Sequence, residues 1–255
     1  MTLIIGVKCR DGIVIGADSI STFGTDIEQE VSNKIEYLAE DSLIGSAGAV
    51  GLSQLIKERL RDSWETVRGQ ENKADARSEI QKVMWAEVRS ALVHAEDASD
   101  ILGQKVFSSA LCSSLLAFPF RDEHVLLSYN QIAQSEEITC EAPFKSIGSG
   151  SLQADPFLAF LKRIFWKDSA PEKTSDGVLS ILWTLDHVSR VNAGLGVGGR
   201  PNVFILSKGQ DAWLAERLDE YYLREQLLAL EAAEGALRSF RDRFNPKQSN
   251  NEDMQ

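Results

Sequence analysis

Short apolar runs separated by polar turns make up the first fifty residues of the chain. Four runs are rich in β-branched and other apolar residues and have lengths typical of strands: TLIIGVKC, GIVIGADS, KIEYLAE and SLIGSAG. Asp11-Gly12 separates the first two runs, and Asp-Gly is a strong hairpin signal. Glu40-Asp41 forms the next turn. This part of the sequence therefore predicts four consecutive β-strands.

After residue 49 the apolar positions follow a helical period instead. The repeat predicts one helix from Val50 to about Arg68 and a second from roughly Lys73 to Glu96. A polar segment, DASDILGQK, is predicted to be a connector. Strands are predicted again in SSALCSSLLAF, HVLLSYN and QIAQSEEIT.

The second half of the chain repeats the order of helices followed by a strand. Helices are predicted at about Leu152–Trp166 and Ser175–Arg190. The glycine-rich segment NAGLGVGGRP is typical of a turn, and NVFILSKG is typical of a strand. Because strands and helices come in separate blocks, the order favours α+β layers over a doubly wound sheet.

The last segment, about Ala212–Phe244, has a helical apolar stripe. Its members are Leu223, Leu227, Leu230, Leu237 and Phe244. The stripe fits packing against the rest of the chain, and it fits a subunit contact equally well. The polar tail PKQSNNEDMQ is predicted to be disordered.

Composition and charge narrow the range of partners. Hydrophobic residues are 43% and charged residues 25% of the chain, and the net charge is −11. An acidic surface disfavours nucleic acid and anionic membranes as partners. No apolar run reaches the ~20 residues of a membrane span. No signal peptide is recognisable before LIIGV, so we expect a cytoplasmic protein.

The cysteines and histidines indicate neither a disulfide framework nor a metal site. The cysteines are Cys9, Cys112 and Cys140, and the histidines are His94, His124 and His187. An odd number of cysteines without paired spacing fits a reducing compartment. The histidines are scattered and lack the spacing of zinc ligands. We expect no metal and no cofactor.

Thr2, directly after the initiator methionine, is a candidate nucleophile. Removal of Met1 would give Thr2 a free α-amine with a pKa near ~8, below the ~10.4 of lysine. Such an amine can take the proton from the hydroxyl of the same residue, which is a recognised nucleophile arrangement. A threonine at this position is ordinary by itself, so the prediction depends on what lies around it.

Three further residues fall at the ends of predicted strands. Asp18 ends the second strand, Lys34 begins the third and Gly48 ends the fourth. In a layer built from two hairpins these ends can converge on the start of the chain. A lysine ammonium there would lower the pKa of the hydroxyl, and a carboxylate would hold the lysine in place. A backbone N–H at a glycine could stabilise an oxyanion.

These segments resemble the threonine peptidases of the proteasome β-subunit type. TLIIGVK, DGIVIGADS, SNKIEYL and IGSAGAVG follow the opening pattern of that family without a gap, and the later IGSGS also matches. The resemblance covers about residues 2–209. It implies an α+β fold: a four-layer αββα sandwich of two antiparallel sheets between helix layers, as in N-terminal nucleophile (Ntn) hydrolases, with an extra C-terminal helix.

The resemblance also implies a role for each matched residue. Thr2 is the nucleophile, and its amine is the base. Lys34 is the cation that lowers the pKa of the hydroxyl, with Asp18 as its partner. The Gly48 amide is the oxyanion donor, and Ser149 hydrogen-bonds near the amine.

Four other positions matter to the comparison. Thr22 matches a position whose backbone pairs with an extended substrate, and Ser46 matches the floor of the pocket for the first substrate side chain. The chain departs from the family before the last long strand. Asn192 stands where Asp is usual, and Val197 stands where Ser is usual. Asn192 keeps a hydrogen-bonding group but loses the charge.

The function implied by the resemblance is hydrolysis of peptide bonds through an acyl-enzyme. The substrates would be peptides or unfolded proteins. The subunits would form a homo-oligomeric ring or stacked rings, with an ATP-driven unfoldase as a possible partner. Because no propeptide is expected before Thr2, the chain is more like the HslV-type bacterial peptidases in this respect.

The same pattern leaves two alternative functions open. One is a catalytically silent proteasome-like scaffold or binding subunit, and the other is an Ntn amidohydrolase acting on a small amide. We expect a proteasome-like domain over 1–209, a C-terminal helical extension over 210–244 and a disordered tail over 245–255.

Overall fold

The structure, a computed structural model, describes residues 2–23, 27–30, 34–166, 170–191 and 196–242. The chain divides into two compact units, Met1–Leu218 and Asp219–Gln255. The strands and the first five helices belong to the first unit, and the last helix belongs to the second. Each unit is described by itself.

The described residues form strands and helices in blocks. The strands are β1 (Ile4–Lys8), β2 (Gly12–Ala17), β3 (Ile20–Phe23), β4 (Ile27–Glu30), β5 (Ile35–Ala39), β6 (Ser42–Gly48), β7 (Cys112–Phe120), β8 (Glu123–Tyr129), β9 (Ser135–Ile138), β10 (Phe144–Ile147), β11 (Asn202–Lys208) and β12 (Trp213–Arg217). The helices are α1 (Val50–Asp62), α2 (Trp64–Arg68), α3 (Lys73–Leu102), α4 (Ser151–Phe165), α5 (Thr174–Val191) and α6 (Glu220–Asp242). A short 3₁₀ turn, Phe107–Ala110, precedes β7.

Two antiparallel five-stranded sheets form the centre of the first unit. The first sheet has the order β10-β1-β2-β11-β12, and the second has the order β5-β6-β7-β8-β9. A separate hairpin pairs β3 with β4. Strand β10 joins the first sheet at its edge, where Ile147 pairs with Ile4 across more than 140 residues of sequence. The order brings the start of β1 beside the end of β10.

Side-chain alternation fills the space between the two sheets with apolar residues. Ile13 and Ile15 of β2 face Leu43 of β6 and Leu115 of β7 in one buried cluster. Successive side chains on a strand point to opposite faces, so the residues between them face the outer helices. The alternation along β2 and β6 therefore specifies which face of each strand meets the opposite sheet.

Helices cover the outer face of each sheet. On the second sheet, Ile56 and Leu60 of α1 and Ile80 of α3 join a cluster with Ile44 and Leu116 of the strands. On the first sheet, α5 packs on β2 so closely that glycines are needed on both sides. A Cβ on Gly16 would lie 2.3 Å from Ile181, and one on Gly177 would lie 2.7 Å from the Cys9 sulfur.

The fold confirms the predicted α+β sandwich of two antiparallel sheets between helix layers. The four strands predicted in the first fifty residues and the helices following them are present. Ser63 separates α1 from α2 in the region predicted as one helix. The predicted connector after Glu96 was wrong, because α3 continues to Leu102 and ends at Gly103, whose φ of +65° suits glycine.

The structure also contains strands that the pattern did not predict. They are β3 and β4 between the second and third predicted strands, β10 before α4, and β12 after β11. The first three are only four residues long, at the lower limit of the alternation signal. The predicted start of the last helix at Ala212 was wrong, because Trp213–Arg217 pairs with β11 and α6 begins at Glu220.

The second unit consists of α6 and the tail. Four of the five stripe residues, Leu223, Leu227, Leu230 and Leu237, lie on α6. Phe244 and the tail lie outside the described residues. The division into a domain, a helical extension and a disordered tail stays a prediction.

The close packing of α5 on β2 gives a test of the fold. Gly16→Ala should lower the free energy of unfolding by about 1–3 kcal/mol, because the new methyl group overpacks against Ile181. Urea unfolding followed by circular dichroism measures the change.

Gly51→Ala is the matched control, since no atom lies within 4 Å of a Cβ built there. This substitution in the first turn of α1 should leave the stability unchanged or raise it by up to about 1 kcal/mol. Equal effects of the two substitutions would contradict the described packing of α5 on β2.

Candidate active site

Asp18 and Lys34 form a buried ion pair at one end of the sheets. Asp18 follows β2 and Lys34 precedes β5, and their side chains are only 2% and 7% exposed. The Lys34 Nζ donates a hydrogen bond to Asp18 Oδ1 at 2.6 Å and another to the Ile20 carbonyl oxygen at 2.5 Å. The sequence spacing of 16 residues is therefore converted into a direct contact between two strand ends.

Burial acts on both partners of the pair. It raises the pKa of the Asp18 carboxyl, against the effects of the Lys34 charge and hydrogen bonds. It lowers the pKa of the Lys34 ammonium, against the effect of the Asp18 carboxylate. For both groups the effect of burial exceeds that of the partner, and removal of either partner would leave the other group buried without its counter-charge.

Asp18 also fixes the beginning of β1. Its Oδ1 accepts a hydrogen bond from the Leu3 N–H at 2.8 Å, and its own N–H donates to the Leu3 carbonyl oxygen at 3.2 Å. Its Oδ2 accepts a longer bond from the Gly198 N–H at 3.4 Å. The Asp18 carboxylate therefore links Leu3, Lys34 and Gly198, which belong to three different segments of the chain.

Thr2 lies between this carboxylate and the segment that follows β10. Its backbone N–H donates to Ser149 Oγ at 3.2 Å, and its carbonyl oxygen accepts from the Gly150 N–H at 3.2 Å. Gly148 has a φ of +95°, and a Cβ on it would lie 2.2 Å from the Thr2 carbonyl oxygen. The segment Gly148–Gly150 can approach Thr2 this closely because its glycines carry no side chain.

A cleft of about 740 Å³ opens beside Thr2. Gly48 and Ser149 line it together with Thr2, so three predicted site residues border the same space. Gly48 ends β6 with a φ of +124°, and a Cβ there would collide with the Leu111 carbonyl oxygen at 2.3 Å. Gly48 is exposed at this strand end, where it borders the cleft.

Ser46 lies on the helix-facing side of β6. Within that strand Leu43 and Ala47 face the opposite sheet, whereas Ile44 faces the helices. Ser46 shares the side of Ile44, where its hydroxyl contacts the Ser114 hydroxyl at 3.0 Å. It is not among the described residues that line the cleft beside Thr2.

The remaining predicted positions are placed only in part. The backbone of Thr22 belongs to β3 and pairs with Glu28 of β4. Asn192 lies outside the described residues. Val197 is buried immediately before Gly198, whose N–H reaches Asp18. The catalytic and binding roles assigned to all these residues stay predictions.

Sequence reasoning missed several backbone groups that hold the site together. They are the Leu3 and Gly198 N–H groups, the Ile20 carbonyl oxygen and the Gly150 N–H. The only available signal was the pair of glycines in IGSGS and the glycines before β11. Because backbone hydrogen bonds depend on how distant segments meet, no residue type marks them in advance.

Two cysteines are unsuited to nucleophilic chemistry. Burial raises the pKa of the Cys112 thiol to about 11 and also raises the pKa of the Cys9 thiol. A thiolate is the reactive form, so neither residue supplies one near neutral pH. Among the described residues, no group of three or more His, Cys, Asp or Glu side chains could hold a metal ion. The described helices include none with the length and apolar character to cross a membrane.

Comparisons with known proteins show which proteins the chain resembles. The sequence model of the proteasome subunit family matches residues 2–96, which include Thr2, Asp18, Lys34 and Gly48. No curated protein matches the sequence significantly. The predicted resemblance to proteasome β-type subunits is therefore confirmed over the first part of the chain.

Solved structures extend the likeness in fold to nearly the whole chain. Anbu (ancestral beta-subunit) from Yersinia bercovieri has a TM-score of 0.68 at 15% identity, covering 94% of this chain and 97% of that one. An Anbu (Gly-1) mutant from Hyphomicrobium sp. strain MC1 has a TM-score of 0.67 at 18% identity, covering 95% and 100%. The Anbu complex from Pseudomonas aeruginosa, solved as a helical assembly, has a TM-score of 0.66 at 15% identity, covering 93% and 96%. The chain has the proteasome-like Ntn fold.

The buried pair gives a prediction that does not depend on catalysis. Asp18→Asn and Lys34→Met should each lower the free energy of unfolding by about 3–5 kcal/mol, because each leaves the other group buried without its partner. The double variant should cost less than the sum of the two, with a coupling energy of about 1–3 kcal/mol. A double-mutant cycle in urea measures it.

The exposed pair between Lys82 and Glu79, at 2.9 Å, supplies the control cycle. Its coupling should stay below about 1 kcal/mol, as for other solvent-exposed pairs. Strict additivity in the Asp18–Lys34 cycle would rule out a direct interaction between these side chains.

Proposed function

We propose that the protein is a threonine-type peptidase whose nucleophile is Thr2, exposed by removal of Met1. The observation that carries the proposal is the buried Asp18–Lys34 pair, hydrogen-bonded through Asp18 to the residue next to Thr2. Desolvation makes a buried ion pair costly, so the pair is weak evidence for a stabilising role. A catalytic role explains its presence better.

The reaction begins with proton transfer inside Thr2. Once Met1 is gone, the free amine takes the hydroxyl proton, and the hydroxyl oxygen attacks the carbonyl carbon of the peptide bond. The tetrahedral intermediate collapses by breaking the carbon–nitrogen bond, and the proton passes from the amine to the leaving nitrogen. Water, deprotonated by the same amine, then hydrolyses the ester on Thr2 and restores the enzyme.

Lys34 makes the hydroxyl of Thr2 a better nucleophile. An ammonium has three N–H donors, and Asp18 and Ile20 accept two of them. In this proposal the third donates to the Thr2 oxygen and stabilises its developing negative charge. Asp18 positions the lysine through its short hydrogen bond. The Ser149 hydroxyl oxygen accepts a hydrogen bond from the Thr2 N–H, and in this proposal it keeps the same contact with the free amine.

Gly48 stabilises the negative charge on the substrate oxygen. It borders the cleft with Thr2 at the end of β6, where its positive φ turns the backbone out of the strand. An N–H held in place before the reaction lowers the barrier without reorganisation. Thr22 would align an extended substrate along β3, and Ser46 would contact the first side chain of the acyl part from the helix-facing side of β6.

Assembly would restrict access to this site. Anbu from Pseudomonas aeruginosa forms a helical assembly, and we extend this to a homo-oligomer here, either a closed ring, stacked rings or an open helix. An enclosed chamber would admit peptides and unfolded chains, and an ATP-driven unfoldase could deliver them. The proposed compartment is the cytoplasm, where initiator methionine is removed.

A catalytically silent scaffold is the second candidate, and Val197 favours it. Its apolar side chain is buried beside the site at a position where the resemblance leads us to expect serine. One hydroxyl of the amine's hydrogen-bond network would then be missing. An amidohydrolase acting on a small amide would use the same residues and differs only in substrate.

Replacement of Thr2 tests whether the protein is a peptidase that uses this residue as its nucleophile. Thr2→Ala should abolish hydrolysis of fluorogenic peptides while circular dichroism and thermal unfolding stay unchanged, because residue 2 is at the edge of the fold. Thr2→Ser should keep measurable activity, since the hydroxyl and amine remain. N-terminal sequencing must find residue 2 first in each protein.

Three outcomes would count against the peptidase. Equal turnover by Thr2→Ala would exclude Thr2 as the nucleophile. Processed wild-type protein without turnover of peptides or small amides would favour the scaffold. Turnover of small amides alone would favour the amidohydrolase.

The lysine is tested separately. Lys34→Met should reduce kcat/KM about 10²–10³-fold, as expected when a preorganised group is lost from an active site. Lys82→Met removes an exposed lysine from α3 and should leave kcat/KM unchanged. Wild-type turnover in Lys34→Met, with Met1 removed and the fold intact, would overturn the role given to Lys34.

A further inference from the structure

A cationic side chain faces the cleft beside Thr2. Lys145 is on the edge strand β10, where it pairs with Gly6 of β1. It lies two residues before Ile147, which belongs to the apolar cluster between the sheets. Side chains two apart on a strand share a face, so Lys145 faces the second sheet, and it lines the cleft together with Thr2.

The wall opposite Lys145 is small and polar. Ser113 of β7 and Ser128 of β8 line the cleft, and each lies two residues from a fully buried core leucine, Leu115 or Leu126. The inner faces of these strands thus change from leucine to serine where the cleft begins. None of the described residues that line the cleft is acidic.

The start of α4 adds positive potential to the same cleft. This helix has 15 residues, its N-cap is Gly150, and its Ser151 and Gln153 N–H groups donate to the backbone carbonyl oxygens of Gly148 and Gly150. Ser149 and Ser151 at its start line the cleft. The first N–H groups of a helix lack intrahelical partners and favour negative charge. A lysine and a helix start therefore border one cleft on a chain whose net charge is −11.

The existing partner of Lys145 can be replaced. The Lys145 Nζ lies 2.7 Å from Glu136 Oε2, and Glu136 is 64% exposed. Glu136 is on the edge strand β9, where it pairs with Ser128 of β8. A solvent-exposed ion pair contributes no more than about 1 kcal/mol. A carboxylate inside the cleft could displace Glu136 at little cost.

We propose that Lys145 binds a carboxylate of the substrate, so that peptides held at Thr2 carry an acidic side chain or a free carboxyl terminus close to the cleaved bond. The inference adds substrate selection to the proposed function, and it depends on that function only for the hydrolysis step. The binding step needs only the cleft. It makes Lys145 a determinant of substrate selection, and selection by one charge should weaken as salt concentration rises.

Binding is measured in the Thr2→Ala variant, which cannot turn over substrate. The probes are fluorescein-labelled, amidated heptapeptides in which one Glu is moved from position to position, and matched peptides with Gln. A further pair has a free or an amidated carboxyl terminus, which distinguishes the two sources of the carboxylate. Anisotropy should give about tenfold tighter binding for Glu at one position, or for the free terminus, as expected for a charge-assisted hydrogen bond.

Three variants test whether Lys145 causes the preference. Adding Lys145→Gln should remove it, and adding Lys82→Gln should leave it. Adding Glu136→Gln should strengthen carboxylate binding several-fold, because the competing carboxylate is gone. A purely structural role of the Lys145–Glu136 pair would predict weaker binding in both pair variants.

Equal binding of Glu and Gln peptides, a preference that survives Lys145→Gln, or weaker carboxylate binding in Glu136→Gln would each overturn the inference. Hydrolysis of the same peptides by wild-type protein is read separately. Its absence would contradict the proposed function, whereas a Lys145-dependent preference in the Thr2→Ala protein would still support the carboxylate site.

Discussion

The contact between Asp18 and Lys34 is the constraint on which the rest of the site depends. Both groups are withdrawn from water, and the contact at 2.6 Å gives each buried group its counter-charge. The same carboxylate accepts the N–H of Leu3 and so fixes the strand that begins just after Thr2. Loss of the pair would release the end of β2, the start of β5 and the start of β1 together. The geometry of the site and the proposed chemistry therefore both depend on this interaction.

The two sheets explain why these groups meet at one place. Their apolar inner faces pack together, and polar residues line the cleft where the strands end. Strand β10 brings Gly148 and Ser149 to the start of β1, and β6 brings Gly48 to the same cleft. Glycine is required at two of these points because backbone approaches backbone there. The cleft follows from the pairing of these strands.

The sequence predicted the parts of this site that local pattern can encode. Thr2, Asp18, Lys34 and Gly48 stand at the ends of strands whose apolar runs are plain, so their convergence could be expected. Strand β10 could not be predicted in this way, because Phe144–Ile147 is short and its partner, β1, is far away in the sequence. The position of Lys145 beside the cleft could not be predicted either, because the face of β10 on which it lies is known only once β10 pairs with β1. The orientation of Ser46 toward the helix layer likewise follows from the register of β6 and β7.

Covalent labelling by a peptide β-lactone tests the central claim most directly, namely that the buried pair makes the first residue of the processed chain reactive. Opening of the lactone by the Thr2 hydroxyl would leave an ester on that residue, which mass spectrometry of the intact protein and of its N-terminal fragment can locate. The account predicts one adduct per chain, confined to Thr2, in protein that begins at residue 2 and none in protein that retains Met1. Processed, folded protein that stays unlabelled, or labelling at another residue, would contradict it.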